Sequence, residues 1–209
     1  MSAAWPWLAV VGLGAYHGLD PSMGWLFAVA LGLQEHSRAR VVRALGPIAL
    51  GHLLSIAAIV TIVVSISAIV AINYVRPAGA AILMLFGVFR LLRPQAHPRW
   101  VSMRVNSAEL TLWSFLMSSA HGAGLMLFPI LLRIEPNMCV SPMLPTAHPV
   151  AQATAVVLLH TAAMLVVMGT VAVLVYQYVG LAILRSAWIN LDTIWAGALV
   201  AAGLLSLAI

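Results

Sequence analysis

Long apolar segments dominate this chain and are separated by short polar connections. A helix needs about 20 apolar residues to cross about 30 Å of membrane hydrocarbon, so such segments predict transmembrane helices. We identify six of them, at roughly 4–33, 44–71, 76–92, 108–132, 150–176 and 187–208. The pattern therefore predicts an all-α polytopic membrane protein with six transmembrane helices, folded as a single domain over residues 1–209.

The first segment is too long for one straight crossing and contains helix-breaking residues. Asp20 precedes Pro21, which lacks a backbone N–H and restricts the conformation of the residue before it. Gly18 and Gly24 add backbone freedom on either side of this pair. We therefore expect the first helix to be broken near Gly18–Pro21, because irregular backbone at membrane depth is tolerated where protein surrounds it.

Arginine is the only basic residue type in the chain apart from histidine, and its distribution predicts the orientation. With six spans, the first, third and fifth connections lie on one side and hold every arginine except Arg76 and Arg133. Cytoplasmic loops are enriched in basic residues, so this side is expected to be cytoplasmic. The prediction is an integral protein of a bacterial inner (plasma) membrane with both termini outside.

The composition agrees with a membrane protein and excludes other classes. The chain is 63% hydrophobic and 7% charged, with a mean hydropathy of +1.06, values far from those of soluble domains. A net charge of +5 could suit nucleic acid, but no binding motif accompanies it. The single cysteine, Cys139, excludes an internal disulfide and a redox pair of cysteines.

Histidines recur in the same order in both halves of the chain. His17-Gly18 lies in the first segment and His52 in the second, while His121-Gly122 lies in the fourth and His160 in the fifth. Three spans per half is an odd number, so the halves must insert with opposite orientation. The pattern predicts a 3+3 inverted repeat with pseudo-repeats at 1–93 and 105–209, and a site where the repeats meet near the bilayer midplane.

These four histidines are expected at similar depth, which suggests one metal site. Ionisable groups inside a membrane are costly and mark functional sites, and neutral imidazole is the commonest metal ligand. Asp20 and Met23 follow His17 closely and add a carboxylate and a thioether. The predicted ligands are His17, Asp20, His52, His121, His160 and Met23. The alternative is that each histidine merely hydrogen-bonds a neighbouring helix.

The run His17-Gly18-Leu19-Asp20-Pro21-Ser22-Met23, followed by Gly51-His52, resembles the nickel/cobalt transporter and urease-accessory-type membrane proteins. That family belongs to a superfamily that also contains amino-acid exporters. In the family motif, a histidine is followed by Leu-Asp and then by an Asp-His pair. His17, Leu19 and Asp20 match, whereas Ser22 and Met23 stand where the Asp-His pair would be. The resemblance implies a divergent transition-metal permease, and Met23 in place of histidine shifts the ligand set towards copper(I).

Three functions compete for this histidine cluster. The first is a transporter, a permease or exporter, for a transition-metal ion such as Ni, Co, Cu or Zn. The alternatives are an integral-membrane metalloenzyme, a hydrolase or oxidase, and a b-type haem protein. Transport is favoured over enzyme activity because Asp20 is the one acid expected at the depth of the histidines.

The expected partners follow from the same features. They are the metal ion and the lipid bilayer, with no nucleic acid. A homo-oligomer or an accessory protein on the periplasmic or cytoplasmic side is also compatible with the sequence.

Overall fold

A computed structural model describes residues 4–92, 105–134, 149–179 and 191–208, and every structural statement refers to these ranges. Within them the chain is helical and contains no strand, so the all-α prediction is confirmed. A 3₁₀ turn at Pro21–Met23 separates the first two helices, and a π-helical turn at Val175–Val179 continues the eighth. The helices are α1 Trp5–Leu19, α2 Trp25–Gln34, α3 Arg38–Ile69, α4 Ile72–Leu92, α5 Ser107–His121, α6 Ala123–Met126, α7 Phe128–Ile134, α8 Pro149–Leu174 and α9 Leu191–Ala208.

Three of the described helices are long and apolar enough to cross a membrane. They cover Arg38–Ser67, Asn73–Leu92 and Val150–Val179. A fourth crossing results if Ser107–His121 and Ala123–Leu131, which meet at a bend of 48°, are one span. Large apolar side chains such as Leu85 and Val166 point outward, as expected of helices that face lipid. The chain is thus a helical protein of membrane type, while the count of six spans stays a prediction.

The first predicted segment is broken where the sequence indicates. Helix α1 ends at Leu19, and Asp20 adopts an extended backbone with φ −67° and ψ 119°. The Asp20 carboxylate accepts hydrogen bonds from the Ser22 backbone N–H at 2.9 Å and from the Ser22 hydroxyl at 2.7 Å. The Trp25 indole N–H donates to the Leu19 carbonyl at 3.1 Å. These side chains bind backbone groups that the break releases, which apolar surroundings require.

A second break, which the sequence analysis did not predict, lies in the other half of the chain. Helix α5 starts at a capping box formed by Asn106 and Glu109 and ends at His121. Gly122 then adopts the left-handed conformation, with φ 70° and ψ 31°. This conformation is costly for residues with a side chain, so glycine allows the chain to turn here.

The long helices pack in three main pairs. Helix α1 lies against α8, α3 against α5, and α4 against α9. Small residues permit this close approach. Gly14 and Gly18 place the α1 backbone directly on the α8 backbone, and Gly51 places α3 on α5. A side chain at any of these three positions would overlap backbone atoms of the neighbouring helix, so glycine fixes the distances between the helices.

Candidate metal centre

Three of the predicted histidines meet in the middle of the bundle. His17 on α1, His52 on α3 and His160 on α8 are each fully buried. One ring nitrogen from each lies within 4.8 Å of the other two. The rings contact one another, with centroids 5.3 Å apart for His17 and His52, 4.9 Å for His17 and His160, and 5.7 Å for His52 and His160.

Hydrogen bonds at Nδ1 orient two of these rings. His17 Nδ1 lies 2.8 Å from the Leu13 carbonyl, which can only accept, so Nδ1 carries the proton and Nε2 the lone pair. His52 Nδ1 lies 2.6 Å from the Ser118 hydroxyl, and no described residue hydrogen-bonds its Nε2. Metal-binding histidines are commonly held in this way, with one nitrogen bound to the protein and the other directed at the ion.

His160 is held less firmly, because its polar contact is with the Val10 backbone on α1 and is poorly aligned. Although it is fully buried, no described residue makes a hydrogen bond with good geometry to either of its ring nitrogens. Burying an imidazole whose nitrogens are poorly hydrogen-bonded costs up to about 1–3 kcal/mol, so a further interaction at this ring would stabilise the protein. A metal ion shared with His17 and His52 would supply one.

Three neutral nitrogens suit a divalent or monovalent transition-metal ion. Tetrahedral coordination with bonds of 2.0–2.1 Å separates ligand nitrogens by about 3.3 Å, so the rings would have to draw together by up to about 1.5 Å. Three protein ligands also leave a fourth position open, as in sites that exchange a ligand. The geometry therefore fits a reversible site better than a closed structural one.

The helix contacts explain why these histidines converge. Gly14 faces the backbone of His160 itself, and Gly18, next to His17, faces Met164 one turn further along α8. Gly51, next to His52, faces Thr111 and Ser114 on α5. Glycines beside the histidines thus bring the backbones together, so short imidazole side chains reach a common point.

The structure does not place the other predicted ligands in this group. His121 Nδ1 lies 2.9 Å from the Met117 carbonyl, and its Nε2 lies 3.1 Å from the Ser22 hydroxyl. Asp20 is buried and binds Ser22. Met23 is buried in the 3₁₀ turn that follows. His121 and Asp20 form a separate polar chain through Ser22, at the level of the two helix breaks.

Two further residues at the site escaped the sequence analysis. Arg90 was counted with the third connection, but it lies inside α4, is buried, and places Nη2 3.5 Å from His121 Nε2. The signal was its position before Leu91-Leu92, within the apolar segment rather than beyond it. Ser118 supports His52 across the α3–α5 contact, and its sequence position one turn before His121 gave a weaker signal.

Neither protein-family models, nor curated proteins, nor solved structures give a match to this chain. The function therefore has to be argued from the site itself.

Proposed function

We propose that this chain is a transition-metal transporter, a permease or exporter for Ni, Co, Cu or Zn. The observation that carries the proposal is the group of three buried imidazoles, in which His160 lies beside His17 and His52 and has only a poorly aligned contact with the Val10 backbone at its ring nitrogens. A bound ion would compensate for that burial. Three neutral donors and an open position favour an ion that enters and leaves over one held permanently.

We further propose six spans arranged as a 3+3 inverted repeat. A two-fold axis that exchanges the halves would map α3 onto α8, α4 onto α9, and the broken α1–α2 segment onto α5–α7. Such an axis relates the α1–α8 contact to the α5–α3 contact and maps the α4–α9 contact onto itself. The observed helix pairs support this arrangement, as does the position of each break at, or two residues beyond, the glycine of a His-Gly pair. We also propose that the chain is a divergent member of the nickel/cobalt transporter family. Both of its termini would then lie on the outer side of the membrane.

The origin of the ligands suggests how an ion would be released. His17 and His52 belong to the first proposed repeat, and His160 belongs to the second. Rocking of one repeat against the other, as in inverted-repeat transporters, would carry His160 away from the other two rings. The ion would lose one of its three protein ligands and bind less tightly. Alternating access and weakened binding would then result from one motion.

Purified protein reconstituted into liposomes tests the proposal. Zn²⁺, Ni²⁺, Co²⁺ or Cu⁺ is added outside, and a metal-sensitive dye inside reports entry. We expect entry of at least one of these ions into liposomes with the parent chain and loss of entry with His160→Ala. A matched control is His36→Asn, because His36 is exposed and has φ 49°, which asparagine tolerates. Equal flux in the parent and the His160→Ala variant would overturn the proposal.

A further inference from the structure

Two charged side chains are buried in the part of the chain that the structure describes, and they have opposite sign. Asp20 is 4% exposed and Arg90 is 2% exposed. A charge buried in apolar surroundings is costly unless another charge or hydrogen bonds compensate it. A buried acid and a buried base can offset each other if they lie close together.

A short chain of polar contacts connects the two residues. Arg90 Nη2 lies 3.5 Å from His121 Nε2, which lies 3.1 Å from the Ser22 hydroxyl oxygen. The Ser22 hydroxyl donates to Asp20 Oδ1 at 2.7 Å. His121 Nδ1 carries a proton, because it faces the Met117 carbonyl, so Nε2 of the neutral ring can accept from Arg90. The Ser22 hydroxyl gives its one proton to Asp20, so its oxygen contacts Nε2 without a hydrogen bond between them. The chain thus has a cation at one end and an anion at the other.

This chain lies beside the three-histidine site without contributing to it. Asp20 follows His17 by three residues, about one helical turn, and Ser118 on α5 both supports His52 and precedes His121 by three. The histidines supply no negative charge to a bound cation. Asp20 and Arg90 are the buried charges among the described residues, and a bound cation would be attracted by the first and repelled by the second.

We propose that Asp20 and Arg90 form a charge-balanced pair that sets the affinity of the three-histidine site, with Asp20 strengthening ion binding and Arg90 weakening it. This inference rests on the proposed function, because it assigns these residues to the same ion. Arg90 would keep the site from holding the ion too tightly for release. Its role is distinct from that of a ligand, since it acts through charge and not through coordination.

Ion binding to single and double variants tests the pair. Co²⁺ alone is titrated into the purified full chain and followed by its visible absorption. We expect Arg90→Gln to lower the Kd about three- to tenfold and Asp20→Asn to raise it by a similar factor. The double variant should return close to the parent, because both charges are then absent. Arg90→Lys, which keeps the charge, should stay within about twofold of the parent.

Several outcomes would overturn the inference. If Arg90→Gln leaves the Kd unchanged or raises it, Arg90 does not oppose the ion. If Arg90→Lys changes the Kd as Arg90→Gln does, the guanidinium shape matters and not the charge. Arg40→Gln is the matched control, because Arg40 pairs with Glu35 at 3.0 Å on the surface and should not affect the Kd. Failure of the parent chain to carry any of the four ions into liposomes would instead refute the proposed function.

Unfolding without metal gives an independent readout of the pairing. Asp20→Asn and Arg90→Gln should each lower the unfolding midpoint, since each removes one of two buried charges of opposite sign. The decrease in unfolding midpoint of the double variant should be smaller than the sum of the decreases in the two single variants. Strictly additive losses would show that the two residues are not coupled, and would overturn the pair even in a chain that binds metal.

Discussion

His17 and His121 have the same local geometry but different surroundings. Each lies beside a glycine near the end of the first helix of its half, and each faces the carbonyl four residues earlier with Nδ1, at 2.8 Å and 2.9 Å. The other side of the His17 ring meets His52 and His160, whereas His121 Nε2 meets Ser22 and Arg90. The same local arrangement thus leads to a group of three imidazoles at His17 and to a chain of polar contacts at His121.

The difference arises from where each helix ends. Helix α1 continues beyond His17 to Leu19, so His17 stays on a regular helical face against α8. Helix α5 ends at His121 itself, and the left-handed Gly122 turns the chain there by 48°. A histidine on a continuous helical face can converge with rings from other helices. A histidine at the bend instead contacts the broken segment of the opposite half.

The largest expected effect is a difference in ion affinity between variants of His17 and His121. His17→Ala should raise the Kd for Co²⁺ more than about 100-fold, because it removes a ligand, whereas His121→Ala should change it less than about tenfold. Titration of both variants under the same conditions provides the measurement. Equal losses would show that His121 is also a ligand and that the two sites are one.

A smaller effect concerns the support of His52 by the second half. Ser118→Ala removes the hydroxyl 2.6 Å from His52 Nδ1 and should weaken ion binding about 10- to 100-fold. The control is the neighbouring Ser119→Ala, because Ser119 bonds Ser55 and its own helix and contacts none of the three rings in the described bonds. If both serine variants bind alike, Ser118 does not orient the ligand.

Substitutions of glycines in α1 test whether contact between the α1 and α8 backbones positions the histidines. Gly18→Ala would push a methyl group into the α8 backbone and should destabilise the protein by about 1–3 kcal/mol. Gly12→Ala, in the same helix, has open space and should stabilise it by up to about 1 kcal/mol. Thermal unfolding distinguishes them, and similar midpoints for the two variants would argue against tight α1–α8 packing.

The smallest expected effect concerns the nature of the second break. Gly122→Ala places a side chain in the left-handed region at a cost of about 1–2 kcal/mol, and Gly122→Asn should recover part of that loss. At Gly18, where the backbone is helical and the constraint is space, asparagine should be no better than alanine. The opposite ranking at Gly122 would mean that crowding by Phe86, and not the backbone conformation, governs that position.

Some of this structure follows from local sequence and some does not. The apolar segments dictate helices, and Asp20-Pro21 dictates the first break, because proline acts on its immediate neighbours. Three of the four histidines selected by their repeat do meet. The position of His121 outside this group follows from the turn at Gly122, and nothing distinguishes this one among 15 glycines as left-handed until the helices pack. Arg90 is similar, because its burial depends on partners distant in sequence.

The length of α3 has a consequence for the membrane itself. Its 32 residues extend about 48 Å, well beyond a hydrocarbon core of about 30 Å. A helix of this length must tilt, project from the bilayer or thicken it, and the balance changes with the lipid. Because His52 belongs to α3 while His17 and His160 belong to α1 and α8, a change of tilt alters the spacing within the histidine group. We therefore expect ion affinity to vary with the acyl-chain length of the surrounding lipids.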